Sequence, residues 1–198
     1  MAEETPWIPP GSHAIRDFAH ARRLAWEARP DERWFRHWEP FDTMVAPELW
    51  LNAVTERTPW GVHVAAEPWT AGEGLEPIER AVVGFAQVPT PLRRGAMRVG
   101  EPFLTKVAFL EAPPPPCVKV GDKVWDEHVT TFAASPSEAA SAFPPRLRDL
   151  LRQRGFRGHL EMRPGGFIVH HEGWPATPDS YDRTLRMLHE IATTIRKA

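Results

Sequence analysis

The sequence predicts an α+β protein built on mainly antiparallel strands, with an N-terminal helix and two C-terminal helices packed on one face. Three observations lead to this fold class. The 22 prolines among 198 residues leave room for long helices only near the chain ends, because proline lacks the amide proton that a helix needs. Short apolar runs of strand character fill the middle of the chain. A proline–glycine turn between two alternating segments predicts a hairpin near the C-terminus.

The N-terminal region is predicted to contain two helices. Ser12 is a favourable N-cap, and apolar residues recur after it at three- and four-residue spacing, which predicts an amphipathic helix over residues 13–27. Pro30 ends this helix. Asp31 can cap a second, shorter helix that carries most of the aromatic residues of this region.

Short strands are predicted in the middle of the chain, at residues 61–67, 81–88 and 104–110. Four consecutive prolines, at positions 113–116, then form a stiff extended segment. We expect this segment to divide the chain into residues 1–112, an N-terminal helix with a β-rich lobe, and residues 113–198, a strand–helix–hairpin–helix lobe. One continuous domain is the alternative.

The C-terminal part has the clearest local signals. Residues 123–132 alternate as a strand, and Ser135 followed by Pro136 predicts the start of a helix. That helix breaks at consecutive prolines, resumes through a leucine-rich segment and ends at Gly155, a favourable C-terminal cap. Thr177 is expected to cap the last helix.

A hairpin is predicted between these helices, with Pro164-Gly165 as its two-residue turn. The predicted register pairs Leu160 with Val169 and Met162 with Phe167 on one face, and His159 with His170 on the other. A slip of one residue would mix apolar and polar side chains on each face, so the hydrophobic pattern supports this register. The apolar face is expected to pack against the last helix.

Composition excludes several classes of protein. A net charge of −2 and a near balance of basic and acidic residues argue against a nucleic-acid partner. The apolar runs are shorter than the ~20 residues of a membrane-spanning helix, and the acidic start of the chain is unlike a signal peptide, so we expect a cytoplasmic protein without membrane insertion. Cys117 is the single cysteine, which excludes an intrachain disulfide and a multi-cysteine zinc site. P-loop and nucleophile-elbow motifs are absent from the sequence.

Histidines of the predicted hairpin are the candidates for a metal or acid–base site. His159 and His170 are expected to lie directly opposite each other with Glu161 on the same face, close enough to hold one zinc-like divalent ion. His128 could supply a further ligand if its strand lies alongside. The alternative interpretation is the solvent-facing polar side of a sheet.

Two groups of residues are candidates for binding. Trp34, Phe35 and Trp38 are flanked by basic residues and could form a recognition patch, or they could pack inside the protein. Arg148 and Arg152 belong to an arginine-rich stretch that could hold a phosphate or an acidic partner, or could form a solvated helix face.

Motif residues are spread along much of the chain in an order that can be compared with known proteins. Phe18-Ala19, Arg22 and Trp26 of the first predicted helix precede a Pro-Asp-Glu-Arg-Trp stretch, and segments 129–151, 159–171 and 181–195 carry further apolar and glycine positions. This layout resembles that of a loose group of bacterial α+β proteins. The resemblance implies a fold and no activity, and it supplies no catalytic residue.

The sequence therefore favours a non-enzymatic module that binds another protein or a second copy of itself, without a cofactor. The alternative is a small metal-dependent or histidine-based hydrolase that uses the hairpin histidines.

Overall fold

A computed structural model of the chain describes residues 11–38, 47, 49–69, 81–89, 94–100 and 115–196. In order, their elements are α1 (Ser12–Ala21), β1 (Ala25–Glu27), α2 (Glu32–Arg36), β2 (Leu49–Thr58), β3 (Gly61–Trp69), β4 (Ala81–Gln87), β5 (Gly95–Val99), β6 (Cys117–Val118), α3 (Lys123–His128), β7 (Thr130–Phe132), α4 (Pro136–Ala142), α5 (Pro145–Gln153), β8 (Gly158–Arg163), β9 (Gly166–Pro175) and α6 (Pro178–Arg196). Within these ranges, no helix has both the length and the apolar character needed to span a membrane.

The described strands form one nine-stranded sheet in the order β1-β2-β3-β4-β9-β8-β5-β7-β6. Every pairing is antiparallel, and the helices pack on the sheet, so the predicted α+β fold class is confirmed. Strand β5 lies between β8 and β7, which come from the other side of the proline run. Segments before and after the proline run therefore contribute strands to the same sheet.

The hairpin of β8 and β9 has the predicted register. Leu160 pairs with Val169, Met162 with Phe167 and His159 with His170. The four apolar side chains belong to the larger core, which we call the first core, together with Leu185, Leu188, Ile191 and Ile195 of α6. The predicted packing of the last helix against the hairpin is confirmed. Helices α1 and α5 contribute further side chains to the same core.

The opposite face of the sheet carries a second core, in which four aromatic residues pack with smaller aliphatic ones. Phe35 of α2 stacks on Trp50 of β2 with ring centroids 4.9 Å apart and an interplanar angle of 16°. Phe85 meets both rings edge-on. Aromatic pairs in these geometries stabilise a fold beyond their buried area, so this second core fixes α2 on the sheet.

The predicted strand over residues 123–132 is wrong in its first part. Residues Lys123–His128 form the short helix α3, because the Asp122 side chain accepts a hydrogen bond from the backbone N–H of Trp125 and caps it. The Trp125 indole is buried and donates to Thr131 Oγ1 at 2.9 Å. Strand structure starts only at Thr130.

The predicted N-terminal helix ends earlier than expected. Helix α1 stops at Ala21, and the chain then turns through Arg23, whose φ is 56°, into the edge strand β1. Gly11 occupies the N-cap position, while Ser12 is buried and accepts a hydrogen bond from Asn52 of β2. The predicted strand at 104–110 lies outside the described residues.

Candidate functional site

The hairpin histidines lie close together and are buried. His159, Glu161 and His170 have exposed fractions of 1%, 3% and 6%, so the interpretation as a solvent-facing polar surface is wrong. The two imidazole centroids are 6.1 Å apart. Burial, and then the neighbouring His159 and His171, lower the pKa of His170 to about 3. His170 is therefore neutral at physiological pH.

The structure places His128, the further predicted ligand, away from the hairpin histidines. His128 is exposed at the end of α3, and the following strand β7 is separated from β8 by β5. Glu161 forms an ion pair with Arg163. No group of three or more His, Cys, Asp or Glu residues within the described ranges could hold a metal ion, and the site stays a prediction.

The arginine-rich stretch takes part in packing between α5 and α3. Arg148 has an exposed fraction of 9%, with Nη1 donating to the Phe143 carbonyl at 3.0 Å and Nε 3.2 Å from Asp122 Oδ2. Arg152 also pairs with Asp122, at 3.4 Å, and with Asp149. The N–H of Trp125, and then the two arginines, hold the pKa of Asp122 below its usual value. A phosphate or acidic partner would have to displace these carboxylates.

The three aromatic candidates of α2 divide between the core and the surface. Phe35 and Trp38 have exposed fractions of 2% and 5% and belong to the second core. Trp34 is half-buried, with its ring 5.6 Å from that of Trp38 and 5.7 Å from that of Phe85. Trp34 is therefore held in a fixed orientation by the core, yet it keeps part of its surface accessible.

The accessible part of Trp34 lines a groove of about 580 Å³ between α2 and the β8–β9 turn. Trp38 also lines it, and the basic side chains around it are Arg33, His37 and Arg163. The guanidinium of Arg163 is positioned by its ion pair with Glu161 and by donation to the Trp38 carbonyl. Among the residues that the structure describes, none that lines the groove carries a carboxylate.

The sequence predicts the α2 side of this groove as a binding candidate but not the side formed by the β8–β9 turn. The aromatic residues of α2 and the basic residues beside them were predicted as a candidate binding group, whereas Arg163 was not. The turn reaches α2 because β9 pairs with β4, whose Phe85 packs on α2. This connection depends on long-range strand pairing, for which the sequence carries no local signal.

Comparison with known proteins supplies a likeness in fold. The sequence matches no family model and no curated protein. The structure is similar to the crystal structure of the mycobacterial trehalose monomycolate transport factor A, TtfA, with a TM-score of 0.57. The two share 11% sequence identity over 94% of this chain and 97% of that chain. At this identity the likeness shows the fold alone.

Proposed function

We propose that this chain is a non-enzymatic, cytoplasmic binding module that takes an acidic segment of a partner protein into the groove between α2 and the β8–β9 turn. The observation that carries the proposal is the composition of the groove, in which a rigid tryptophan surface is bordered by basic groups, with no carboxylate among the described lining residues. The similar structure is named as a transport factor and not as an enzyme, which is in keeping with a binding role.

Electrostatic complementarity favours an acidic occupant. The exposed Arg33 has no ion-pair partner among the described residues, and His37 beside it is exposed as well. Arg163 is fixed in the wall by its contacts with the Trp38 carbonyl and Glu161, and it adds a guanidinium to the basic lining. Because opposite charges across an interface steer association and fix its register, Asp or Glu side chains are the complement of this groove.

The aromatic floor favours a peptide over a small ion. Trp34 and Trp38 present a preorganised apolar surface, and tryptophan and arginine are the residue types most enriched among binding hot spots. A groove of about 580 Å³ lies within the ~300–1,000 Å³ range of ligand sites and has room for several side chains.

The proposal is tested by selecting random peptides displayed on phage against the purified chain. We expect the recovered peptides to be enriched in Asp and Glu next to an apolar residue. The tightest peptide is then measured by titration calorimetry with two variants of the groove, Arg33→Glu and Trp34→Ala. Each is expected to weaken binding by about tenfold or more, since loss of a hot-spot side chain costs ~2 kcal/mol.

Two matched variants serve as controls. Arg36→Glu makes the same charge change on an exposed residue of the same helix outside the groove, and Trp60→Ala removes a tryptophan that is 49% exposed elsewhere. Both should bind the peptide as the unaltered chain does. Peptides without acidic enrichment, or equal losses in controls and groove variants, would refute the proposal. Sedimentation velocity of the same proteins identifies self-association through the groove as a different outcome that also contradicts it.

A further inference from the structure

A second cleft, of about 250 Å³, lies on the first-core side of the sheet, where the end of α1 and strand β2 meet α6. Its apolar floor is formed by Leu24 and Leu185. The volume is below the ~300–1,000 Å³ of sites for drug-sized ligands, so an occupant would be small. Among the described residues, none lines both this cleft and the α2 groove.

One end of the cleft has an excess of positive charge. Arg22 and Arg186 both contact Asp182, with their Nη2 atoms 2.8 Å and 2.7 Å from its two carboxylate oxygens. The two guanidiniums share one carboxylate, which leaves one positive charge uncompensated. Both guanidinium side chains are more than half exposed and retain N–H groups for a further acceptor.

The other end has an excess of negative charge at Glu56. Its Oε2 lies 3.9 Å from Nδ1 of His63, its direct cross-strand neighbour, and it has no other ionic partner among the described residues. His63 is 1% exposed, and both of its ring nitrogens lack a hydrogen-bond partner. Burial, followed by the nearby His189, lowers the pKa of His63 to about 4. His63 is therefore neutral at physiological pH and leaves the charge of Glu56 uncompensated.

The remaining acidic residue of the cleft does not change this polarity. Glu190 is held by Arg154 through two contacts, at 2.9 Å and 2.5 Å. Arg186 and His189 are three residues apart on α6, which places them about 4.5 Å apart along the helix axis. The ring of His189 is 6.2 Å from that of His63. Arg186 lines the cleft from α6 and Glu56 lines it from β2, so the two charges reach it from different elements.

We propose that this cleft binds a small zwitterion of the amino acid or dipeptide class. The carboxylate of the ligand would accept hydrogen bonds from Arg22 and Arg186, its ammonium group would donate to Glu56, and its apolar side chain would lie on Leu24 and Leu185. The charges of the cleft and of such a ligand complement each other at both ends, and the floor has the matching apolar character.

The test is a titration of the full chain, followed by amide NMR shifts, with four probes. Leucine and glycyl-leucine carry both charges, N-acetyl-leucine lacks the ammonium group, and leucinamide lacks the carboxylate. We expect one of the two zwitterions to bind saturably and to shift signals of α6 and β2. Each singly charged probe should bind about tenfold or more weakly, because hydrogen bonds to charged groups are worth ~1.5–3 kcal/mol.

Two variants assign the charges to residues. Glu56→Gln should remove the advantage of the tighter zwitterion over N-acetyl-leucine, and Arg186→Gln should remove its advantage over leucinamide. Arg183→Gln is the matched control, because Arg183 lies on the same helix, pairs with Asp179 and does not line the cleft. Thermal unfolding of each variant confirms that it is folded. Equal binding of the tighter zwitterion and N-acetyl-leucine, binding unaffected by Glu56→Gln, or no binding of any probe would overturn the proposal.

Discussion

The contact between strand β4 and helix α6 can be tested through Gly84 and Leu188. Leu188 has no exposed surface, and a Cβ atom added at Gly84 would lie 3.0 Å from its Cδ2, 2.7 Å from Thr184 Cγ2 and 2.9 Å from Val169 Cγ1. Gly84 therefore allows α6 to approach the sheet, and any larger residue must displace these side chains.

Each single substitution should be costly for a different reason. Leu188→Ala leaves a cavity in the first core and is expected to lower the free energy of unfolding by ~2–5 kcal/mol. Gly84→Ala overpacks the same place and is expected to lower it by ~1–3 kcal/mol. Either loss is large against a total stability of ~5–15 kcal/mol.

The loss of unfolding free energy in the double variant is expected to be smaller than the sum of the two single losses by about 1 kcal/mol. The added methyl group at position 84 occupies part of the space that Leu188 leaves, although its contacts with Thr184 and Val169 remain. Urea unfolding followed by tryptophan fluorescence measures all four free energies, and Gly84→Ala with Leu147→Ala on α5 is the control pair, expected to be additive. Additivity within ~0.5 kcal/mol for Gly84 and Leu188 would refute the proposed close contact.

Two further predictions concern buried polar groups. The folded-state pKa values of His63 and His170 lie at about 4 and about 3, below the ordinary value of 6.5, so the unfolded chain binds more protons below pH 6.5. The urea midpoint should be constant above pH 7 and should fall as the pH drops from 6.5 to 4, with a smaller fall in the His63→Gln/His170→Gln variant. Tyr181→Phe should lower the free energy of unfolding by ~1–3 kcal/mol in the same assay, because the Tyr181 hydroxyl contacts the buried Glu67 carboxylate and the Asn52 carbonyl. An unchanged midpoint at pH 5, or a Tyr181→Phe variant as stable as the parent, would contradict these assignments.

The elements predicted correctly are those whose signals are local. The Pro164-Gly165 turn and the alternation around it determine the hairpin register, and Gly165 has the φ of 86° that such a turn requires. Ser135 and Thr177 cap α4 and α6 as expected, each accepting a hydrogen bond from a backbone N–H of the first turn. Caps and turns are readable because a few neighbouring residues decide them.

The elements that were missed or misassigned depend on burial and tertiary packing. Strand β2 was not predicted because the run Trp50–Val54 is buried on both faces and shows no alternation of polar and apolar residues. In residues 123–128 a weak alternation suggested a strand, but the Asp122 cap and the burial of Trp125 decide in favour of a helix. Burial of Glu161 beside two histidines could not be inferred from sequence, since polar residues usually face solvent.

The candidate sites also divide into features with a local sequence signal and features that depend on tertiary contacts. The pairing of His159 with His170 followed from the hairpin register, and the aromatic residues of α2 stood out by composition. Arg163 in the α2 groove and Glu56 in the small cleft could not be identified from the sequence. Each contacts its neighbours in the site only after distant strands have paired. Sites assembled from several strands carry no spacing signal in one sequence.

The position of β5 between β8 and β7 has a consequence for how the chain reaches its native state during synthesis. Phe85 of β4 pairs with Ile168, and Met97 of β5 pairs with Leu160. Neither pairing can form until the β8–β9 hairpin, which follows both strands in the chain, has been synthesised. A nascent chain that ends before residue 158 exposes unpaired edges of β4 and β5. Such non-local pairing folds slowly and leaves edges open to aggregation. We therefore expect folding to finish only after the C-terminal hairpin emerges, and truncated chains to depend on chaperones.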